Sequence, residues 1–157
     1  MKNIWKLIIS IAIPLAVGFL GSYFTRPEID TWYQSIEKPS WQPPSWAFGP
    51  VWTTLYVMMG VAFYLVWKNE SRSRNRKLAM IFWSMQLVLN FFWSYIFFNQ
   101  HKLGLAVVEI IALWIFIFIT IILFGRVNKL AAWLMVPYIS WVSFASLLTY
   151  TIYTLNS

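Results

Sequence analysis

The stretch KPSWQPPSWAFGPVWTTLY, residues 38–56, holds three tryptophans and four prolines at the start of a charge-free run that continues to Trp67. Proline fixes its own φ and disfavours helix in the residue before it. Residues 38–44 are therefore predicted to be extended, and Ser45, directly after Pro44, is the expected start of a helix. Pro50 falls near the first turns of that helix, where proline is tolerated. The stretch predicts an aromatic loop segment that leads into a long apolar helix.

The rest of the chain consists of similar apolar runs. Its 157 residues are 60% hydrophobic and 11% charged, whereas soluble domains are about a quarter charged. About 20 apolar residues cross a bilayer as a helix, and five runs reach that length. We predict an all-α membrane protein with one domain, residues 1–157, built as a bundle of five transmembrane helices at approximately 5–25, 45–67, 78–99, 103–124 and 130–153.

The basic residues indicate the orientation of this bundle. Successive connections lie on alternate sides of the membrane, and the cytoplasmic side is enriched in positive charge. Three basic residues share the side of the longest loop, Arg26, Lys38 and Lys102, and nine share the other: Lys2, Lys6, Lys68, Arg72, Arg74, Arg76, Lys77, Arg126 and Lys129. We expect a multi-pass protein of the cell membrane with a cytoplasmic N-terminus and an external C-terminus. This orientation explains the net charge of +7 without nucleic-acid binding.

Two segments on the basic side have a second interpretation. The run at residues 68–77 serves either as a topological anchor alone or also as a contact to anionic headgroups of membrane lipid. The first apolar run follows Lys2 and Lys6 as a signal peptide would, but it is long and no A-x-A-like site follows it. We interpret it as a helix that is retained.

The one long connection, residues 25–44, lies on the outer side in this topology. Long loops in compact domains are often lids or binding loops. Trp32, Tyr33, Ile36 and Trp41 give the loop apolar surface to pack, and residues 30–36 are long enough for one or two helical turns. We expect an ordered loop that covers the outer end of the bundle.

Few residues in the chain can support hydrolytic or metal chemistry. There is no cysteine, His101 is the only histidine and lies between spans, and Glu109 is the only acid within a span. These do not complete a metal site or an acid–base pair, so we predict that no metal is bound and no cofactor is required. Glu109 lies about 9 Å from the outer end of its span at helical rise. It is interpreted either as a carboxylate that reaches the membrane surface or as a ligand contact.

The third span carries a polar and aromatic stripe at helical spacing, formed by Gln86, Asn90, Trp93, Ser94 and Phe97. Polar groups in a span face the protein interior, where they can also serve only as hydrogen bonds between helices. At 1.5 Å per residue, Trp52, Asn90 and Ala145 lie about 12–13 Å below the outer ends of their spans, and Trp141 about 20 Å. These residues predict either an aromatic cavity for a flat apolar molecule or a solid aromatic core.

The chain contains eleven tryptophans. Tryptophan concentrates at membrane interfaces, which accounts for the four near span ends on the basic side, Trp5, Trp67, Trp83 and Trp133. Trp41 and Trp46 are assigned to the belt or to the loop. Trp114 and Trp141 fall well inside their spans and need another explanation.

Several motifs resemble one known family along all five spans. KPSWQPPSWAFGPVWTTLYVMMG, residues 38–60, looks like the signature of the translocator protein, or tryptophan-rich sensory protein, family (TspO/MBR). Further matches follow in order, at Gln86–Asn90, Trp93, Phe97–Phe98, Ala106–Ile110, Pro137–Tyr138, Trp141 and Phe144–Ala145. The first and last of these motifs are highly specific.

The resemblance implies a five-helix membrane protein, often a homodimer, that binds porphyrins, steroids or benzodiazepine-type ligands in a pocket closed by the first loop. Carried over position by position, the pocket residues are Tyr33, Trp52, Asn90, Trp93, Trp141 and Ala145. The expected ligand is a porphyrin such as protoporphyrin IX, with a role in tetrapyrrole homeostasis or stress sensing. The alternatives are an enzyme that degrades porphyrin with light or oxygen through Trp52 or Trp141, and a transporter of porphyrin or sterol.

The chain departs from the family pattern in two places. Thr149 follows Leu148 where the family commonly has asparagine, so a hydrogen bond there is expected to be weakened or replaced. No basic residue follows Tyr150 or Tyr153, so a cholesterol-type motif cannot be completed. This absence argues against sterol transport.

Overall fold

The computed structural model describes residues 4–69 and 73–157, and within those ranges it contains helices and no strands. Five of the described helical spans are long and apolar enough to cross a membrane: Ile4–Ile29, Ser45–Trp67, Arg74–Asn99, Leu103–Gly125 and Lys129–Leu155. The predicted all-α membrane bundle of five helices is thereby confirmed. Lys2 and Arg72, which contributed to the predicted orientation, lie outside the described residues.

The described helices follow one another with short connections, except for the loop at residues 30–44. In chain order they are α1 (Ile4–Ile29), α2 (Trp32–Ser35), α3 (Ser45–Trp67), α4 (Arg74–Ser94, continued by the π-helical segment Tyr95–Asn99), α5 (Leu103–Gly125), α6 (Lys129–Leu134) and α7 (Val136–Leu155). Ser45 begins α3, as predicted, and Pro44 is the N-cap of this helix, with φ −63° and ψ 146° in the extended region. Pro44 also disfavours helix in Pro43 before it, so α3 does not extend further toward the N-terminus. The end of the bundle where residues 30–44 lie is called the loop end below.

The last span is divided into α6 and α7 at Met135. Pro137 stands in the first turn of α7, where its missing N–H costs nothing but where it prevents a continuous helix from α6. At the start of α6, the Asn128 side chain accepts a hydrogen bond from the Ala131 N–H at 3.0 Å and caps the helix. Pro137 therefore marks the break between α6 and α7.

The five spans form a closed ring. Going round it, α1 contacts α3, α3 contacts α6, α7 contacts α5, α5 contacts α4, and α4 contacts α1. At the end opposite the loop the ring is filled by buried apolar side chains, among them Met59, Val66, Ala79, Phe124 and Met135. The bundle therefore has a solid core at that end.

Helix α1 changes its neighbour along its length. A Cβ added at Gly60 of α3 would lie 2.5 Å from the Ser10 carbonyl oxygen, so the two backbones touch there. Closer to the loop end, Gly21 faces Ser94 of α4, and the Phe24 ring lies 5.2 Å from Tyr95 edge to face. Since α1 packs on α4 beyond Gly21, space remains between α1 and α3 at the loop end.

The loop at residues 30–44 is ordered by its own contacts. Trp32–Ser35 form the short helix α2, as predicted, and the Lys38 ammonium donates hydrogen bonds to the carbonyls of Tyr33 at 2.6 Å and Ile36 at 3.0 Å. The prediction that residues 38–44 are extended throughout is wrong at Ser40 and Trp41, where the Gln42 N–H donates to the Pro39 carbonyl and closes a turn. The turn brings the Trp41 ring to 5.7 Å from Phe144 of α7.

Candidate functional site

The loop end of the ring encloses a cavity of about 520 Å³. Helices α1, α3, α4 and α7 form its walls, and Tyr33 of α2 lies over it. The side chains on its wall are mostly apolar or aromatic, and Arg26 is the one charged residue on it among the residues that the structure describes. This is the size and lining typical of a site for a small apolar molecule.

The aromatic rings of the cavity wall are in contact with one another. The Trp52 ring lies 6.4 Å from the Trp141 ring at 89°, and 5.7 Å from Tyr56 at 30°. Trp141 continues the contact to Phe144 at 5.6 Å and to Phe48 at 6.4 Å. Rings that pack edge to face or offset in this way hold each other in place. The wall is therefore a rigid set of flat surfaces.

Five of the six predicted ligand-binding residues lie on this one cavity: Tyr33, Trp52, Trp93, Trp141 and Ala145. The sixth, Asn90, is not on the cavity wall and is only 3% exposed. The structure brings the six together at the loop end of the bundle. Their contacts with a ligand stay a prediction.

A buried chain of hydrogen bonds runs below the cavity. Tyr56 OH donates to Asn90 Oδ1 at 2.9 Å, and Asn90 Nδ2 donates to the Tyr138 hydroxyl at 2.8 Å. Tyr138 OH donates in turn to Gln86 Oε1 at 2.7 Å. The chain links α3, α4 and α7, and its members satisfy one another in a place that water does not reach. Gln86 forms an interhelical hydrogen bond of the kind that the sequence suggested. Asn90 orients the Tyr56 ring on the cavity wall.

Tyr33 is the lid residue of the cavity. Its ring lies 6.2 Å from Phe97 and 5.8 Å from Phe98, and the Lys38 ammonium lies 5.0 Å from its centre. The Tyr33 hydroxyl donates to Gln42 Oε1 at 3.1 Å. Burial raises the pKa of Tyr33 to about 12, because the charged phenolate loses its hydration there. At neutral pH the hydroxyl is therefore a hydrogen-bond donor and not an anion.

A second part of the loop is held by the turn between α4 and α5. The Trp32 ring stacks on the His101 imidazole with centroids 4.0 Å apart and planes within 6°. His101 Nε2 lies 3.4 Å from Glu28 Oε2 at the end of α1, and His101 itself has a positive φ of 57°. His101 is exposed in the α4–α5 turn, and it joins this turn to α1 and α2.

Glu109 does not reach the membrane surface. Its side chain is only 9% exposed, because it shares a helix face with Ala106, Ile110 and Leu113, which pack into the bundle. The interpretation of a surface-reaching carboxylate is therefore wrong. Neither carboxylate oxygen has a hydrogen-bond partner among the described residues, and Glu109 is not on the cavity wall.

Thr149, which stands where the family commonly has asparagine, lies on the cavity wall. Its hydroxyl donates to the Ala145 carbonyl one turn earlier in α7, at 2.7 Å. The polar group is thereby satisfied within its own helix. The weakening or replacement of the family's asparagine hydrogen bond stays a prediction.

The tryptophans near span ends do not all have the same role. Trp133 and Trp5 are exposed, as an interfacial belt requires, and Trp67 packs against Trp5 with centroids 5.5 Å apart. Trp83 is 2% exposed and donates through Nε1 to the Met59 carbonyl at 3.2 Å, so its assignment to the belt is wrong. It lies on the face of α4 that packs on α3. Trp114 is explained by a hydrogen bond from Nε1 to Ser143 Oγ at 2.8 Å.

Several cavity residues were not among those predicted from the sequence. Tyr56 lies four residues after Trp52, and Phe144 lies three residues after Trp141, so helical spacing along α3 and α7 indicates both. The contribution of α1, through Gly18, Phe19, Ser22 and Arg26, has no comparable signal, because most of α1 is apolar on every side. The place of these α1 residues on the cavity wall follows only from the angle at which α1 crosses α3.

The fold and the cavity define a class: a small multi-pass membrane protein of five helices with an aromatic cavity at one end. The profile of the TspO/MBR family matches residues 10–155, and the chain belongs to this family. It is 44% identical over 155 residues to the tryptophan-rich protein TspO of Archaeoglobus fulgidus, with 99% of each chain covered. It is 37% identical over 139 residues to the human translocator protein, with 88% of this chain and 82% of the relative covered. It is 32% identical over 156 residues to the tryptophan-rich sensory protein of Cereibacter sphaeroides, with 99% of this chain and 95% of the relative covered.

Proposed function

We propose that this membrane protein binds flat, largely apolar molecules in the cavity at its loop end, and that its natural ligand is a porphyrin such as protoporphyrin IX. The observation that carries the proposal is the cavity of about 520 Å³, whose walls on α3, α4 and α7 carry aromatic rings. Binding sites for small molecules are mostly about 300–1,000 Å³ and apolar, with a few polar groups. Membership of the TspO/MBR family supports the same ligand class.

In this proposal the tryptophans supply most of the binding energy. Trp52, Trp93 and Trp141 stand on different helices of the wall and offer ring faces or edges to a planar π system. Tyr33 closes the outer side and offers a hydroxyl, and Asn90 contributes by holding Tyr56. No cofactor is needed for binding, and the porphyrin is a ligand.

Ala145 offers a direct test of the cavity. Purified protein in detergent is titrated with protoporphyrin IX, and binding is followed by the shift of the porphyrin absorbance band. Ala145 is a small buried residue on the wall, so Ala145→Phe fills the space that the ligand needs. We expect a loss of affinity of at least about tenfold, which equals about 1.4 kcal/mol. Trp141→Ala is expected to weaken binding similarly.

Trp133→Ala is the matched control, because Trp133 is exposed in α6, away from the cavity. Its affinity for protoporphyrin should equal that of the unchanged chain. Saturable binding that neither Ala145→Phe nor Trp141→Ala alters would place the ligand elsewhere and contradict the proposal.

We further propose that the protein lies in the cell membrane with a cytoplasmic N-terminus, and that it acts in tetrapyrrole homeostasis or stress sensing. The described basic residues on the side away from the loop, such as Lys6, Arg76 and Lys129, support this orientation through the positive-inside rule. Because the chain has no cysteine, a single cysteine at Ser40 or Ser73 can be tested in intact cells with a thiol reagent that does not cross the membrane. We expect Ser40→Cys to be labelled and Ser73→Cys to be protected, and the reverse would contradict the orientation. A homodimer is proposed from the family resemblance alone.

A porphyrin-degrading activity is the second candidate, because Trp52 and Trp141 present adjacent rings on the cavity wall, 6.4 Å apart. Adjacent tryptophans can pass an electron to or from a ligand held against them, while the chemistry itself comes from the illuminated porphyrin. Turnover under light to a defined product, lost in Trp52→Phe and kept in Trp133→Phe, would favour this activity over binding alone.

A further inference from the structure

The opening of the cavity lies on one side of the bundle. Its exposed wall residues all stand on two neighbouring helices, Phe19 and Arg26 on α1 and Trp46, Gly49 and Thr53 on α3. The wall residues contributed by α4 and α7 are buried or half-buried, and Tyr33 of the loop is buried. The mouth is therefore the gap between α1 and α3, which in a membrane faces lipid.

Arg26 stands at the loop end of this gap, in the last turn of α1. Within residues 4–69 and 73–157, no carboxylate lies within ion-pair distance of its guanidinium, and Glu28, the acid closest to it in sequence, is paired with His101. Lys38 is not an equivalent cation. Its ammonium is used by the carbonyls of Tyr33 and Ile36, and it is not on the cavity wall.

The cavity therefore has one polar extreme and one apolar extreme. Leu15 is the deepest wall residue on α1. It lies eleven residues before Arg26, which is about 16 Å along the helix. An arginine at the end of a transmembrane helix keeps its charge at headgroup level, and its planar guanidinium matches a carboxylate with two hydrogen bonds. A molecule that is apolar at one end and anionic at the other fits both extremes.

We propose that Arg26 is the anion-binding residue of this cavity and determines its specificity. The ligand is an amphipathic carboxylic acid whose flat apolar part enters between α1 and α3 while its carboxylate stays on Arg26 at the membrane surface. This inference rests on the proposed function. It adds that the ligand is negatively charged and that Arg26 binds this charge. The molecule arrives from the bilayer and not through the loop.

The test compares protoporphyrin IX with its dimethyl ester, which has the same ring but no carboxylate. The full chain in nanodiscs of phosphatidylcholine is titrated with each, and dissociation constants are measured from the absorbance shift. We expect the acid to bind about tenfold more tightly than the ester, as for a charge-assisted hydrogen bond at a partly exposed site. In Arg26→Gln the acid should bind no more tightly than the ester, and the affinity for the ester should be unchanged. In Arg26→Lys part of the tighter binding of the acid should remain.

Lys102→Gln is the matched control, since Lys102 is an exposed cation at the same end of the bundle but not on the cavity wall. It should keep the preference for the acid. Equal binding of acid and ester by the unchanged chain, or a preference that survives in Arg26→Gln, would overturn the inference and leave the proposed function standing. Binding of neither compound would contradict the proposed function itself.

Lipid phosphate is the competing anion for Arg26. Repeating the titration in nanodiscs that contain anionic phosphatidylglycerol separates the two sources. A preference for the acid that persists there supports a ligand carboxylate on Arg26. A preference for the acid that is absent in both lipids would assign Arg26 to a headgroup and overturn the inference.

Discussion

Asn156, at the end of α7, holds the backbone of Glu37 in the long loop with two hydrogen bonds. The Glu37 N–H donates to Asn156 Oδ1 at 3.0 Å, and Asn156 Nδ2 donates to the Glu37 carbonyl at 2.8 Å. A side-chain amide pairs here with a peptide group 119 residues away. The loop is thereby tied to the one helix that supplies both Trp141 and Ala145 to the cavity.

Asn156→Ala removes both of these hydrogen bonds. Each contributes about 0.5–1.5 kcal/mol, so amide exchange in residues 36–38 should accelerate by about tenfold. Hydrogen–deuterium exchange with mass spectrometry measures this change. Thr154→Ala removes a hydroxyl that bonds only within α7 and should leave loop exchange unchanged. Equal exchange in Asn156→Ala and the unchanged chain would show that this tie does not hold the loop.

Removing His101 should release a different part of the loop. The imidazole stacks on Trp32 and pairs with Glu28, so His101→Ala is expected to raise exchange around residues 31–35. Because His101 and Asn156 hold separate points, their effects on the opening free energy should add within about 0.5 kcal/mol in a double-mutant cycle. A larger coupling would mean that the loop opens as one unit.

Tyr138→Phe interrupts the buried hydrogen-bond chain at its centre. Gln86 Oε1 and Asn90 Nδ2 would both lose the partner that the Tyr138 hydroxyl provides, and each buried polar group left unpaired costs about 1–3 kcal/mol. The midpoint of thermal unfolding in detergent should fall clearly. Tyr150→Phe, on the exposed side of α7, is the control and should have little effect. An unchanged midpoint in Tyr138→Phe would contradict a stabilising role for the chain.

Gly60→Ala tests the crossing of α1 and α3. The new Cβ would lie 2.5 Å from the Ser10 carbonyl and 2.7 Å from the Ile11 Cα, so the helices must separate. Forced overpacking of this kind costs about 1–3 kcal/mol. Gly49→Ala adds the same methyl group to the same helix, where nothing lies within 4 Å, and should be neutral or slightly stabilising. Equal stability of the two variants would exclude a tight crossing.

Gly49 also allows the side opening to be tested. Because its Cβ position is open and it lines the mouth, Gly49→Phe should narrow the gap between α1 and α3 without disturbing α3. Association and dissociation of protoporphyrin should both slow, by about fivefold or more, with a smaller change in affinity, as for other gated sites. Stopped-flow mixing measures both rates. Unchanged rates would mean that the ligand enters by another path.

The spans and part of the site follow from local patterns in the sequence. Ser45 begins a helix because Pro44 precedes it, and the charge-free runs have the length that a bilayer requires. Trp52, Trp141 and Ala145 could be placed at nearby depths because helical rise is constant. Trp83 shows the limit of this reasoning, because depth alone assigns it to the interfacial belt while the packing of α4 on α3 buries it.

The sequence by itself determined the five helices, the ordered loop and the layer in which the aromatic residues lie, since bilayer thickness and helical rise act on each segment separately. Only the tertiary structure decided that this layer is hollow. The close crossing at Gly60 and the packing of α1 on α4 beyond Gly21 leave a gap beside α3 that opens the cavity to one side and sets Arg26 at its mouth. Such a gap depends on the angle between helices, which is set by side-chain contacts across the bundle and not by the pattern of any one segment.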